Sequence, residues 1–131
     1  ISSLIKLSKH LIKKYKINRS NILGHSDIAF KRKKDPGEKF PWRYLANKKI
    51  GIWHKVDEKK LKKTRNEKIT KTELLKFIRH LNKIGYFVKN LNENNKFKLF
   101  KSFQRRFRQK LINGKIDREC LFIAEKLSNL Y

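Results

Sequence analysis

Apolar residues recur at helical spacing near both ends of this chain, but the pattern is lost between Gly24 and Trp42. A stretch without periodic apolar residues is typical of a loop, and loops on a rigid scaffold often carry functional sites. This site loop contains His25 and, ten positions later, Asp35. The two residues are too far apart for one helical turn, so they can meet only if the loop folds back. An imidazole and a carboxylate brought together are candidate zinc ligands.

The residues around and within the site loop predict short regular elements. Ile1–Tyr15 follows the i, i+3, i+4, i+7 pattern of an amphipathic helix. The apolar pair Ile22–Leu23 is interpreted as a short buried strand that leads into the loop. Pro36–Gly37 predicts a turn that fixes the direction of the preceding carboxylate, and Trp42–Asn47 is expected to form a short helix.

The second half of the chain predicts three helices that pack as a small bundle. Thr70 or Thr72 is a candidate N-cap for the first helix, which Gly85 ends. Asp117 is a candidate N-cap for the third helix. The expected inward-facing residues are spaced by three or four positions: Leu74, Phe77, Ile78, Leu81, Phe97, Phe100, Phe103, Phe107, Leu121, Ala124 and Leu127.

The chain is strongly basic, with a net charge of +25 from 36 Lys and Arg against 11 Asp and Glu. Such a charge attracts any polyanion, including nucleic acid, anionic lipid and an acidic cell wall. Because the lysines are spread through every segment, the pattern does not indicate a protein that binds a specific nucleic acid. No apolar run is long enough for a transmembrane helix, and the single Cys120 excludes an internal disulfide and a Cys-rich zinc site.

Several sequence blocks carry a family resemblance. GHSDIA, KRKKDPG, FPW and LANKKIGIW follow one another in this order. Together they resemble the zinc-dependent N-acetylmuramoyl-L-alanine amidases of the type-2 amidase family, over about Ile1–Trp53. The tail is similar to the three-helix peptidoglycan-binding domain that follows the catalytic domain in some of these amidases, through IGY at Ile84, FQRRFR at Phe103 and GKID at Gly114.

The resemblance implies a fold and a domain division. We expect residues 1–55 to form an α/β fold, namely a partial amidase domain with a helix, a short strand, the site loop and a short helix. A small all-α three-helix bundle is expected over residues 70–131. Residues 56–69 are highly charged and then form a linker, with a solvent-facing His54 at its entrance.

The resemblance also implies an activity and residue roles. The expected reaction is hydrolysis of the amide between N-acetylmuramic acid, or its anhydro form, and L-alanine, with Zn²⁺ as cofactor. His25 and Asp35 match two of the family's three zinc ligands, and Lys33 matches the lysine that stabilises the oxyanion. Asp27 is expected to be a structural hydrogen-bond acceptor inside the loop rather than a ligand.

Two departures from the family pattern limit the expected activity. No residue matches the family's other zinc histidine or its catalytic glutamate, since His10 lies in the wrong element. Phe30–Lys31 also replaces a Pro-Gly pair of the family. Pro and Gly set a particular backbone path, so the loop is expected to follow a different one here. The chain begins at Ile1 rather than Met, which suggests a fragment of a longer protein, expected to be inactive alone for lack of a general base.

Other hypotheses remain open at this point. The expected partner is peptidoglycan or a muropeptide, and the expected location is the bacterial cell envelope, with a cytoplasmic recycling form as the other possibility. A non-catalytic basic peptidoglycan-binding protein is the first alternative. A nucleic-acid-binding protein is the second, and its binding should survive physiological salt.

Overall fold

The computed structural model describes residues 1–131, and every regular element in it is helical. The seven α-helices are α1 (Ser2–Tyr15), α2 (His25–Ile28), α3 (Trp42–Asn47), α4 (Glu58–Thr64), α5 (Lys71–Ile84), α6 (Glu93–Phe107) and α7 (Arg118–Ser128). A 3-10 turn at Arg19–Asn21 precedes α2. None of the helices is both long and apolar enough to span a membrane.

The predicted α/β fold over residues 1–55 is wrong, because no strand forms. Ile22–Leu23, the predicted strand, is an irregular connection between the 3-10 turn and α2. A strand needs a neighbouring backbone to satisfy its N–H and C=O groups. Here the C=O of Ile22 instead accepts a hydrogen bond from the Arg106 guanidinium at 2.9 Å.

The predicted helix ends in the second half of the chain are confirmed. Thr70 begins α5 with a capping box, in which its hydroxyl accepts from the Glu73 N–H and the Glu73 carboxylate accepts from the Thr70 N–H, both at 3.1 Å. Gly85 ends the same helix at φ 115°, a conformation that favours glycine. Asp117 caps α7 by accepting from the Cys120 N–H at 3.0 Å.

The hydrophobic core lies among α5, α6 and α7 and continues into the first half of the chain. Phe77 meets Phe103 edge-on, with ring centroids 5.1 Å apart. The same cluster of 16 buried residues includes Phe30, Ile52 and Leu61. Because Leu61 lies on α4, the predicted linker segment contributes to the core. The division into domains stays a prediction.

Helix α1 forms where the apolar periodicity predicts it, yet it buries none of its side chains. The apolar side chains that stay exposed on or beside it are Ile1, Leu4, Leu7, Leu11 and Tyr15. The amphipathic pattern therefore specifies the helix, while its apolar face lies open in this chain.

His54 and Cys120 are buried away from the site loop, and burial shifts the pKa of each. His54, predicted to face solvent, is only 8% exposed and stacks on Trp53 with ring centroids 4.9 Å apart. Burial lowers the pKa of His54 to about 4, so the imidazole is neutral at pH 7. Cys120 is fully buried on α7, and burial raises the pKa of its thiol to about 12.

Candidate functional site

The site loop folds back so that His25 and Asp35 meet. His25 is the first residue of α2, and its Nδ1 lies 2.8 Å from Oδ2 of Asp35. The N–H of Ser26 donates to the C=O of Asp35 at 2.9 Å, so a backbone hydrogen bond also links the start of α2 to the segment that carries Asp35. The two side chains are 67% and 61% exposed. The hydrogen bond with His25 is the main reason that the pKa of Asp35 is lowered, which keeps the carboxylate ionised at neutral pH.

Two glycines allow this fold-back. The predicted turn after Asp35 forms with a hydrogen bond from the Gly37 N–H to the C=O of Lys34 at 3.0 Å, and Gly37 has φ 79°. A Cβ at Gly24 would lie 2.7 Å from Cδ of Pro36. Glycine at this position therefore lets the start of α2 approach the segment that carries the carboxylate.

Asp27 is buried below the pair and is a structural acceptor, as the sequence predicts. One carboxylate oxygen accepts from the Gly24 N–H at 2.8 Å and also pairs with the Arg106 guanidinium. The other oxygen accepts from the Tyr86 hydroxyl at 2.7 Å. Because all of these partners are buried or half-buried, the carboxylate holds α2 in a fixed position rather than facing a ligand.

Helix α6 anchors the loop on both sides of His25. Ser102 on α6 donates its hydroxyl hydrogen bond to the C=O of Ser26 at 2.5 Å. Arg106, one turn further on, bonds both the Asp27 carboxylate and the C=O of Ile22. The residues before and after His25 are thus tied to one helix, which sets the direction of the imidazole.

The sequence does not identify this role of Arg106. In the sequence, the FQRRFR block is recognised only as part of a family resemblance, yet its Arg106 and Arg108 are each only 2% exposed. Arg108 pairs with Asp117 at 2.6 Å. The available signal is the helical register, because position 106 lies three after Phe103 and seven after Leu99, on the apolar face of α6. An arginine on that face predicts a buried acidic partner.

Lys33 lies beside the pair without bonding to it. Its backbone N–H donates to the C=O of Ala29 at 2.8 Å, and its side chain is half-buried. The charge of Lys33 is the smallest of the contributions that lower the pKa of Asp35, the largest being the hydrogen bond with His25. His10 stays on the exposed surface of α1, away from these contacts.

The arrangement offers an exposed imidazole, an ionised carboxylate and a nearby ammonium. The structure contains no group of three His, Cys, Asp or Glu side chains that could hold a metal ion. Two cavities adjoin the site loop. One, of about 450 Å³, is lined in part by Asp27, Tyr86 and Arg106; the other, of about 400 Å³, lies between residues 30–34 and α6.

Comparison with known sequences gives two relatives, and no protein-family model matches the chain. The chain is 35% identical over 132 aligned positions to N-acetylmuramoyl-L-alanine amidase AmiD of Escherichia coli K12, covering 100% of this chain and 48% of that protein. It is 49% identical over 49 positions to 1,6-anhydro-N-acetylmuramyl-L-alanine amidase AmpD of Haemophilus influenzae, covering 36% of this chain and 27% of that protein.

Solved structures of two related proteins resemble the fold over 99% of this chain. E. coli AmiD in complex with the substrate anhydro-N-acetylmuramic acid-L-Ala-D-γ-Glu-L-Lys superposes with a TM-score of 0.85 at 34% identity, over 51% of that chain. AmpDh3 from Pseudomonas aeruginosa superposes with a TM-score of 0.82 at 29% identity, over 52% of its chain. AmpDh3 in complex with anhydromuramic pentapeptide gives a TM-score of 0.81 at 28% identity. The chain spans about half the length of the relatives that it matches throughout.

Proposed function

We propose that this chain, which is homologous over its whole length to N-acetylmuramoyl-L-alanine amidases, forms part of a zinc-dependent enzyme of that activity. The reaction would hydrolyse the amide between N-acetylmuramic acid, or its anhydro form, and L-alanine in peptidoglycan or muropeptides. The observation that carries the proposal is the 2.8 Å approach of His25 Nδ1 to Asp35 Oδ2 on an exposed loop. The proposed location is the bacterial cell envelope, with the tail as a peptidoglycan-binding element.

The donor atoms of the pair suit zinc in type. Imidazole nitrogen and carboxylate oxygen are both common zinc ligands, and here they are adjacent, exposed and, for Asp35, ionised. A catalytic zinc site has three protein ligands and one open position, and no third donor is grouped with this pair. In the proposed enzyme, the third ligand and the general base come from protein outside these 131 residues.

The chain's own residues would position and stabilise the reacting groups. Zinc, when bound, supplies a Lewis acid that polarises the carbonyl and acidifies a bound water. Lys33 would stabilise the oxyanion of the tetrahedral intermediate, since an ammonium on a long stem can reach a developing negative charge. Helix α6, through Ser102 and Arg106, would keep the imidazole of His25 in place during turnover.

The test is metal content and cleavage measured together in the complete protein. His25→Ala should reduce bound zinc to background and abolish release of peptide from an anhydromuramyl peptide, because the site loses one of its ligands. His10→Ala is the matched control, since it removes an exposed imidazole from α1, and it should change neither quantity. Cleavage by His25→Ala at full zinc content would overturn the ligand assignment.

The absence of a third donor beside the two proposed zinc ligands favours one alternative, a non-catalytic protein that binds peptidoglycan. In that case the complete protein would sediment with insoluble peptidoglycan but release no peptide from it. Release of peptide that stops when zinc is chelated would exclude this alternative.

A further inference from the structure

The cavity between residues 30–34 and helix α6 is lined mainly by positive charge. Ten residues line its volume of about 400 Å³. Seven of them are basic, namely the run from Lys31 to Lys34 on the site loop and Lys98, Lys101 and Arg105 on α6. No Asp or Glu lines it. We refer to this space as the basic cavity.

None of these seven cations is used to stabilise the fold through an ion pair. The salt bridges of the structure involve His25, Arg43, Arg65, Lys96, Arg106, Arg108 and Arg118. Like charges gathered in a concave site repel one another and raise the local positive potential. An anion that enters would relieve this repulsion, so the cavity favours a negatively charged ligand.

The two walls of the basic cavity are held together. The Lys98 ammonium donates to the C=O of Lys31 at 3.3 Å, which links α6 to the loop. The Lys101 ammonium lies 5.2 Å from the centre of the Phe97 ring, also at the cavity wall. The volume lies in the range of small-molecule sites, so the cavity fits a small, flexible anion better than a nucleic-acid duplex.

Lys33 connects the basic cavity to the His25–Asp35 pair. It lines the cavity and lies two residues before Asp35 on the same loop. Lys34, which also lines the cavity, directly precedes Asp35 in the chain, so a substrate with its scissile amide at the pair would place its neighbouring groups at the cavity. In the ligand of the AmiD complex, the peptide L-Ala-D-γ-Glu-L-Lys follows that amide. Glutamate linked through its γ-carboxyl keeps a free α-carboxylate, and the final residue carries a second one.

We propose that the basic cavity binds the free carboxylates of the stem peptide, with Lys98, Lys101 and Arg105 as the residues that select an anionic peptide. The choice of ligand rests on the proposed function, whereas the selection for carboxylates rests on the geometry of the cavity. The site loop would then hold the amide, and α6 would hold the peptide beyond it.

Binding of two matched ligands tests the proposal. The probes are anhydromuramyl-L-Ala-D-γ-Glu-L-Lys with free carboxylates and the same compound with both carboxylates amidated. Calorimetry on the 131-residue chain at physiological salt, with a chelator present, separates binding from cleavage. We expect the acidic form to bind about ten-fold more tightly, because charge-assisted hydrogen bonds to the carboxylates are lost on amidation.

Two triple variants separate the cavity from the general charge of the chain. Lys98→Gln with Lys101→Gln and Arg105→Gln should abolish the preference for the acidic form. Lys59→Gln with Lys62→Gln and Lys63→Gln removes the same charge from the exposed surface of α4 and should keep it. Circular dichroism checks that each variant is folded. If the triple variant of the cavity does not fold, Lys101→Gln alone replaces it in the binding assay.

Three outcomes would overturn the proposal. In the first, the wild-type chain binds the acidic and amidated forms equally. In the second, the α4 variant loses the preference for the acidic form as fully as the cavity variant does. In the third, the chain binds tripolyphosphate but prefers neither peptide form over the other. Failure of the complete protein to cleave its substrate would overturn the proposed function alone, since the binding assay does not depend on cleavage.

Discussion

Arg106 is a buried cation, and its substitution should destabilise the fold. Its guanidinium pairs with buried Asp27, donates to the C=O of Ile22, and stacks 4.1 Å from the centre of a Trp42 ring. Only its Nε lacks a partner. A buried ion pair adds little net stability compared with apolar packing, but removing one partner leaves an uncompensated buried charge. Among the contacts that anchor the site loop, the one made by Arg106 is therefore the most costly to remove.

Arg106→Met should lower the free energy of unfolding by about 3–5 kcal/mol, because Asp27 would stay buried without its cation. Arg105→Met is the matched control on the same helix, since Arg105 is half-buried and forms no salt bridge, and it should cost less than about 0.5 kcal/mol. Urea denaturation measures both values. Equal stability of the two variants would show that the Asp27 pair is not a stabilising contact.

His54 gives the chain a dependence of stability on pH. Burial lowers its pKa from 6.5 to about 4 in the folded chain. Below pH 6.5 the unfolded chain therefore binds a proton that the folded chain excludes. The free energy of unfolding should fall by up to about 3 kcal/mol as the pH is lowered from 6.5 to about 4. In His54→Gln this part of the slope should disappear, while His10→Gln should keep it. A His54→Gln slope equal to wild type would contradict a buried neutral imidazole.

At the residue scale, the sequence predicts the meeting of His25 and Asp35 but not what holds them. Their chemistry is local to one loop, whose turn residues are visible in the sequence. Two of the three partners of Asp27 lie 59 and 79 positions away, at Tyr86 and Arg106. Such pairings depend on tertiary packing, so a single sequence offers only the indirect signal of an arginine on an apolar helix face.

Among the elements, five of the seven helices are predicted, whereas α2 and α4 form in segments predicted as a loop and a linker, and the predicted strand does not form. Capping residues such as Thr70 and Asp117 act through bonds to their own helix, which makes them readable from the sequence. A strand depends on a partner elsewhere in the chain. For Ile22–Leu23 that partner is absent from the structure. Ile22 is half-buried and Leu23 is 46% exposed, so two apolar residues in a row predict neither the strand nor its burial.

Helix α1 should be the least protected of the long helices. It has 14 residues and none is buried, and an isolated helix of this length is marginally stable in water. We expect its amides to exchange with deuterium at least about a hundred-fold faster than those of α6. Mass spectrometry of the exchanged peptides, at two protein concentrations, provides the measurement. Protection equal to that of α6 would show that the apolar face of α1 is covered in solution.

For the whole molecule, the two halves of the chain share one core. Phe30, Ile52 and Leu61 are buried in the same cluster as the helices of the second half. Net charge and composition could not predict this sharing, and they also could not predict the basic cavity. The cavity forms because the loop around Lys31 packs against Lys98, 67 positions further along the chain.

Residues 70–131, produced alone, should be largely unfolded. Losing the three apolar contacts from the first half removes about 1.5–3 kcal/mol each, and a bundle of this size has only about 3–5 kcal/mol to lose. We expect poorly dispersed amide signals in a proton–nitrogen correlation spectrum, with dispersed signals from the whole chain as the control. A dispersed spectrum for residues 70–131 alone would instead support an independent domain beginning near Thr70.

The reactivity of Cys120 reports transient opening of the fold around α7. With a thiol pKa of about 12, fewer than about one in ten thousand folded molecules carries the reactive thiolate at pH 7. The sulfur is also sealed inside the core. An alkylating reagent can therefore label the chain only while α7 is transiently exposed, so the rate of labelling reports this opening without an engineered cysteine.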